Sequence, residues 1–105
     1  EMLPLYKLGI ESEIILNEGT LKYSTFISII AVSNTKKDFG FTKMIIQDYT
    51  EKLDSNAQQD GLFWAKAHTL YYQKKLNECL EVLLSHNFKL QLFHNSTVTF
   101  KRNIP

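Results

Sequence analysis

Apolar residues recur three and four positions apart along most of this chain, from Leu5 to Leu84. This spacing is the period of an α-helix that buries one face. Capping and turn-forming residues interrupt the pattern at short intervals, so we expect short helices joined by tight turns. The pattern therefore predicts an all-α fold built from antiparallel helical hairpins.

The first periodic segment predicts a helix over residues 3–17. Leu5, Leu8 and Ile15 form one stripe of this helix. Gly19 follows the last periodic residues, and glycine is favoured there because the left-handed backbone of a C′ residue costs it least. We expect this helix to precede the hairpins.

The first hairpin is predicted over residues 24–53. Ser24 can accept a hydrogen bond from a free backbone N–H, and so predicts the N-cap of a helix over 25–35. That segment is apolar nearly all round, and a β-strand is the competing interpretation because Phe, Ile, Val and Thr favour sheets. Its helical neighbours favour the helix. Asp38 predicts the N-cap of the next helix, over 39–53.

The second hairpin is predicted over residues 56–85. Ser55 and Gln58 have the spacing of a capping box, which predicts a helix over 56–72. The helix after it has the most regular apolar stripe of the chain. This stripe consists of Leu76, Cys79, Leu80, Leu83 and Leu84. Asn87 is predicted to follow this helix as its C′ residue.

The sequences of the two hairpins align when one is shifted along the chain so that Phe39 falls on Leu76. The shift also places Ile27 on Trp64, Ile30 on Ala67, Ile45 near Val82 and Lys36-Lys37 on Gln73-Lys74. A period in the mid-thirties is typical of helical-hairpin repeats, in which each unit buries its apolar face by stacking on its neighbours.

The stretch FWAKAHTLYYQKKLNECLEVLL resembles one tetratricopeptide repeat. Ala67 stands at the small position where the two helices touch, and Leu76 at the large residue that opens the second helix. Cys79 stands at the next small position, and Leu83 matches the later large residue. Lys74 departs from the family, which usually has Gly in this turn; Cys79 replaces the usual Ala, and no Pro closes the repeat.

The longer stretch from Leu5 to about Phe88 resembles a group of uncharacterised bacterial proteins with tetratricopeptide-like helical repeats. The segments that resemble this group are LYKLGIE, TFISIIAVSNTKKDF and AKAHTLYYQKKLNECLEVLL. In that group the helices normally continue where this chain has HNSTVTFKRNIP. The resemblance implies a short right-handed solenoid of stacked hairpins, and an interaction role by analogy.

The resemblance also implies that the first helix of each hairpin lines a concave groove. The matching positions are Ile27, Ala31, Asn34, Thr35, Trp64, His68, Tyr71 and Tyr72. Exposed Trp and Tyr anchor protein interfaces well. The competing interpretation is that several of these aromatic residues pack against the next helix.

Composition fits this interpretation and narrows the function. The 105 residues are enough for a single domain spanning 1–105, and 44% hydrophobic and 22% charged residues are typical of a globular chain. Glu1 precedes Met2, which indicates a fragment of a longer protein. No apolar run approaches the roughly 18 residues that span a bilayer. A formal net charge of +1 argues against a dedicated nucleic-acid surface.

Motifs for catalysis, nucleotide binding and metal binding are missing from the sequence. Cys79 is the only cysteine, which excludes an intrachain disulfide and favours a reducing, cytoplasmic location. It lies on an apolar stripe, so packing explains it better than a role as nucleophile beside His68. We therefore predict no enzymatic activity, no cofactor and no metal.

The sequence thus predicts a non-enzymatic protein-interaction or scaffolding module that binds a segment of a protein or peptide partner in a helix-lined groove. One alternative is a purely structural segment of a larger solenoid. A weaker alternative is a small helical nucleic-acid binder that uses the lysine pairs 36–37 and 74–75. Residues 88–105 stay undecided between helix and other structure. Self-association is expected if the apolar residues of this tail stay exposed, because solenoid ends need a polar cap. These apolar residues are Phe88, Leu90, Leu92 and Phe93.

Overall fold

The computed structural model describes residues 4–5, 7–9 and 19–89 of the chain. In these ranges the regular elements are helices, and no β-strand occurs. The elements are α1 over Tyr23–Thr35, α2 over Phe39–Tyr49, a 3₁₀ turn over Thr50–Lys52, α3 over Gln58–Tyr72 and α4 over Leu76–Ser85. The predicted all-α class is confirmed.

Helix α1 is the segment for which a strand was the competing interpretation. Phe26, Ile29 and Ile30 are fully buried on it. The predicted cap at Ser24 is wrong, because the helix already begins at Tyr23 and no side chain caps it. The chain just before the helix is held by a distant contact, since the buried Leu21, two residues ahead of Tyr23, donates its backbone N–H to the carbonyl oxygen of Lys52 at 2.8 Å.

The turns after α1 and α3 have the same backbone geometry. Lys37 and Lys74 occupy equivalent positions with φ of 60° and 66°, the left-handed region. Each turn closes with the two hydrogen bonds of a Schellman motif, which satisfy carbonyl groups that a helix end leaves free. The N–H to O pairs are Lys37 to Asn34 and Asp38 to Ser33 in the first turn, and Lys74 to Tyr71 and Lys75 to Leu70 in the second. The same shift in sequence that places Phe39 on Leu76 therefore also places the first turn on the second.

Asp38 caps α2 as predicted. Its Oδ1 accepts from the backbone N–H of Phe41 at 3.3 Å, and its Oδ2 accepts from Nζ of Lys7 at 2.6 Å. The hydrogen bond from Lys7, with that from Phe41, lowers the pKa of the Asp38 carboxyl. Lys7 thereby attaches helical residues of the N-terminal segment to the start of α2.

Helix α2 ends at Tyr49, before the predicted limit at residue 53, and the chain tightens into the 3₁₀ turn. The next prediction, a capping box of Ser55 and Gln58, is wrong. Ala57 precedes α3 without a side-chain cap. The Gln58 side-chain amide instead donates a hydrogen bond to a residue earlier in the chain, at the carbonyl oxygen of Leu53, over a distance of 3.0 Å.

Helix α3 is the centre of the packing, because it contacts α1, α2 and α4. Its buried residues face more than one neighbour, and Trp64, Ala65 and Ala67 belong to the main core. The small side chains of the two alanines allow the neighbouring helices to approach closely. The core extends from these residues to Ile30 on α1 and Ile45 on α2.

The apolar stripe of α4 is narrower than its sequence indicates. Cys79 and Leu83 are buried, whereas Leu84 is 69% exposed. The helix ends at Ser85 with an extended His86 as its C-cap, so Asn87 stands at the predicted C′ position, but it lacks the left-handed backbone that favours Asn there.

The predicted N-terminal helix falls only partly within the described residues. Residues 4–5 and 7–9 are helical, and the rest of 3–17 lies outside. Gly19 has φ of 81°, as expected for a C′ glycine. In the tail, Phe88 is half-buried, and residues 90–105 lie outside the described part. None of the helices in the described residues combines the length and apolar character needed to cross a bilayer.

Candidate functional site

A groove of about 670 Å³ runs between α2, α3 and α4. Its apolar lining comes from all three helices, with Phe39 and Ile46 on α2, Leu70 on α3 and Val82 on α4. The volume lies within the range of roughly 300–1,000 Å³ that is usual for ligand pockets. The groove is therefore large enough to hold several side chains of a binding partner.

Two lysines provide the charge of this groove. Lys43 lies on α2 and Lys66 on α3, and both residues are exposed. Nζ of Lys66 lies 5.8 Å from the ring centroid of Phe63. Among the residues that the structure describes, the groove lining contains no Asp or Glu. Its local charge is therefore positive, although the whole chain is nearly neutral.

Gly40 leaves one wall of the groove without a side chain. It lies in the first turn of α2, is exposed and lines the groove. A Cβ atom at this position would meet only Oδ1 of Asp38, at 4.0 Å. The backbone thus has room for a larger residue here, and such a residue would fill open space beside the groove.

Below the groove, two of its lining residues belong to a buried polar network. The Thr42 hydroxyl lies 2.8 Å from Oδ1 of Asn34 and 2.6 Å from Oγ of Ser33, and donates its single hydrogen to one of them. Nδ2 of Asn34 donates to Nδ1 of His68 at 2.8 Å and to Oγ1 of Thr69 at 3.1 Å. The network joins α1, α2 and α3, so it fixes the relative positions of the helices that form the groove.

Burial determines the charge state of His68 in this network. Its side chain is almost completely enclosed, and burial lowers the pKa of the imidazole to about 4. A neutral imidazole can accept at Nδ1, which matches the donor group that Asn34 presents. His68 is therefore a structural hydrogen-bond acceptor at neutral pH.

The eight residues that the tetratricopeptide resemblance predicts for a groove lie elsewhere. Trp64 is only 2% exposed, and Asn34 and His68 are buried with it. The other five are half-buried or exposed: Ile27, Ala31, Thr35, Tyr71 and Tyr72. None of the eight lines the groove between α2, α3 and α4. Partner binding at these positions stays a prediction, although the three buried side chains have little surface to offer.

The predicted aromatic residues of α3 contact one another through their rings. The His68 ring lies 4.9 Å from the Trp64 ring and 4.8 Å from the Tyr72 ring, measured between centroids. Tyr71 meets Tyr72 edge to face at 5.6 Å. These residues form a continuous aromatic row along α3 itself, so these ring contacts do not test the competing interpretation that several of them pack against the next helix.

A second polar cluster, at the start of α3, was not predicted from the sequence. Asp60 is buried, and its Oδ1 accepts from Nε2 of His86 at 2.7 Å. Its Oδ2 accepts from the backbone N–H of Lys89 at 2.9 Å. The His86 ring stacks on Phe63 with 4.5 Å between centroids. This cluster fixes the extended chain after α4 against the first turn of α3.

The groove itself was missed because its residues come from separate hairpins. Lys43 and Ile46 are three residues apart on α2, and Lys66 and Leu70 are four apart on α3, so each pair lies on one helix face. The recurrence of Lys followed by an aliphatic residue on two helices was a signal in the sequence.

Within the described ranges, the surroundings of Cys79 disfavour reaction, and the acidic and histidine residues form no metal-binding group. Cys79 is buried, and this burial raises the pKa of its thiol. The thiolate is the nucleophilic form, so the environment disfavours reaction. In the part of the chain that the structure describes, no three His, Cys, Asp or Glu side chains are grouped closely enough to hold a metal ion.

Comparison of the chain with protein-family models, curated proteins and solved structures finds no match. The resemblance to tetratricopeptide repeats therefore stays a prediction from the sequence.

Proposed function

We propose that this chain is a non-enzymatic protein-interaction module of tetratricopeptide-like helical hairpins, and that its binding site is the groove between α2, α3 and α4. The observation that supports this proposal most is an open groove of about 670 Å³ with an apolar lining. Exposed apolar surface of this kind is typical of sites that bind another molecule. The site differs from the face that the tetratricopeptide resemblance implies.

The rigidity of the groove supports the same function. The network of Asn34, Thr42 and Thr69 connects the helices behind it. A preformed site loses little conformational entropy when it binds, so more of the contact energy becomes affinity. The burial of Cys79 and His68, the two side chains considered for nucleophilic chemistry, supports a role without catalysis.

The alternative of a structural segment within a larger solenoid has its own supporting observation. Leu5 and Leu8 are 62% and 57% exposed on the helical N-terminal residues. Exposed leucines at one end of a helical stack suit packing against a further repeat. In that case the groove would have no ligand.

Gly40 provides the experiment that tests the proposed site. A displayed library of short helical peptides is selected on the chain, and the binders are measured against Gly40→Trp and Gly40→Ala. We expect the tryptophan to fill the groove and to reduce binding at least tenfold, and the alanine to leave it unchanged. Circular dichroism checks that both variants keep their helices. Binders that tolerate Gly40→Trp, or a selection without binders, would contradict the proposed site.

A further inference from the structure

The walls of the groove determine which backbone conformation a partner segment can adopt there. They consist of helices, whose N–H and C=O groups are largely paired within each helix. An extended peptide would find few backbone partners in this apolar groove and would leave its own polar groups unpaired, which is costly. A helical segment pairs its backbone internally, so helix-in-groove binding fits this site.

The lysines determine the charge that this segment should have. Within the described residues, neither Lys43 nor Lys66 forms an ion pair with a carboxylate, and no acidic residue lines the groove. Two cations at the edge of an apolar groove repel a basic segment and attract an acidic one, particularly during encounter. Charge complementarity therefore favours carboxylates on the partner.

We infer that the occupant of the groove is an amphipathic helix of a partner protein, with Asp or Glu residues flanking its apolar face. This inference rests on the proposed function, and it adds the chemistry of the ligand. The apolar face of the helix contacts Ile46, Leu70 and Val82, and its carboxylates meet Lys43 and Lys66.

A protein helix fits the lining better than a nucleic acid does. Single-stranded nucleic acids bind through bases stacked on several aromatic rings together with many phosphate contacts. Within the described part of the chain, the groove lining has one aromatic residue, Phe39, among aliphatic, hydroxyl, amide and lysine side chains. It offers too few stacking surfaces for bases, whereas leucine-rich helix faces match it.

The test uses a displayed helix library in which the apolar positions are fixed and each flanking position is Glu, Gln or Lys. Selected peptides are synthesised, and their affinities for the full chain are measured by fluorescence anisotropy. The charge-reversal variant Lys43→Glu/Lys66→Glu is compared with Lys52→Glu/Lys75→Glu, which changes two other exposed lysines by the same total charge.

We expect the selected peptides to be enriched in Glu. Their affinity should fall at least tenfold in Lys43→Glu/Lys66→Glu, and less than about threefold in the control, because only the first pair adjoins the groove. Peptides in which Glu is replaced by Lys should regain affinity for the groove variant. Raising the salt from about 50 to 500 mM should weaken the wild-type complex, since screening acts on exposed charges.

Other results separate the two proposals. Peptides without a preference for Glu that Gly40→Trp still blocks would overturn the acidic ligand and retain the groove. A selection without any peptide sensitive to Gly40→Trp would overturn both. A wild-type dimer that Lys43→Glu/Lys66→Glu dissociates, measured by sedimentation, would instead assign the groove to a second copy of this chain.

Discussion

Nδ2 of Asn34 in α1 donates a hydrogen bond to Nδ1 of His68 in α3 at 2.8 Å, and both side chains are buried. The Oδ1 atom of the same amide lies 2.8 Å from the Thr42 hydroxyl in α2. One amide group therefore links three helices. Such a buried network is stable while its groups are paired, and becomes costly when one partner is removed.

Removal of the Asn34 amide should destabilise the fold. In Asn34→Ala the buried groups of His68 and Thr42 lose a partner, so the free energy of unfolding should fall by about 2–3 kcal/mol. Urea denaturation measures this change. The variants Asn34→Ala, His68→Ala and their combination form a double-mutant cycle. The free energy of unfolding lost in the double variant should be at least about 1 kcal/mol smaller than the sum of the losses in the two single variants.

The neighbouring residue provides a matched control for this cycle. Thr35 is exposed and also lies at the end of α1. Thr35→Ala should change the free energy of unfolding by no more than about 0.5 kcal/mol. A similarly small effect of Asn34→Ala would show that the amide is not important for stability.

The same pair makes stability depend on pH. Burial lowers the pKa of His68 in the folded chain to about 4, from the ordinary value of 6.5 for histidine. Between these values the unfolded chain binds the proton and the folded chain does not, so stability falls as the pH is lowered. The loss should be complete near pH 4 and amount to about 3 kcal/mol from this residue.

Two measurements test this pH dependence. The NMR signals of the His68 ring should titrate near pH 4, and urea should unfold the chain at a lower concentration at about pH 4.5 than at pH 7. In His68→Gln, which cannot titrate, the decrease in this range should be smaller. The hydrogen bonds from Lys7 and Phe41 lower the pKa of Asp38, so this carboxyl group contributes a loss of stability mainly below the ordinary aspartate value of 3.8. A His68 ring that titrates near 6.5 would be incompatible with the buried neutral state.

Several features of the fold could be predicted because they depend on local sequence. The helical period and the Asp38 cap involve residues a few positions apart. The cap at Ser24 and the box at Ser55 and Gln58 failed for the opposite reason, since the chain just before α1 is held by the distant contact of Leu21 with Lys52. Helix limits respond to tertiary contacts that the local sequence does not contain.

The candidate groove and the buried network depend on contacts between helices. Asn34 and His68 are 34 residues apart in the chain, and both were predicted to line a groove. The tetratricopeptide resemblance placed both in a groove, but polar groups that are paired, as these are, can be buried. Lys43 and Lys66 were missed because a groove between α2, α3 and α4 requires the packing of both hairpins.

The left-handed backbone conformation of two lysines predicts that substituting them with glycine stabilises the fold. Lys37 and Lys74 have positive φ, a conformation that costs a residue with a Cβ about 1 kcal/mol more than glycine. Lys37→Gly and Lys74→Gly should therefore each raise the free energy of unfolding by about 0.5–1 kcal/mol, which thermal denaturation can detect. The family that Lys74 departs from usually has glycine at that turn.

Lys75→Gly is the control for these turn substitutions. Lys75 follows Lys74 directly and is exposed, but its φ is −94°. Glycine there relieves no backbone strain, and its greater entropy in the unfolded chain opposes its preference for the N-cap position that Lys75 occupies, so it should stabilise the fold less than glycine at position 74 does. Equal effects of glycine at positions 74 and 75 would mean that backbone strain at Lys74 is negligible.

The last prediction concerns the attachment of the chain after α4 to the start of α3. Both carboxyl oxygens of the buried Asp60 accept hydrogen bonds, one from His86 and one from the backbone of Lys89. Asp60→Ala removes both bonds, so the free energy of unfolding should fall by about 3 kcal/mol. His86→Ala should cost less, because the bond from Lys89 to Asp60 remains.

Hydrogen exchange locates this effect in the chain. In Asp60→Ala the amide of Lys89 should exchange faster than in the wild type, because its acceptor is missing. Asp48→Ala, which changes an exposed aspartate of α2, should leave this amide unaffected. If Lys89 stays protected in Asp60→Ala, packing of Phe88 and His86 holds the segment without the carboxylate. If the Lys89 amide loses its protection in Asp60→Ala and keeps it in Asp48→Ala, Asp60 determines the path of the chain beyond α4.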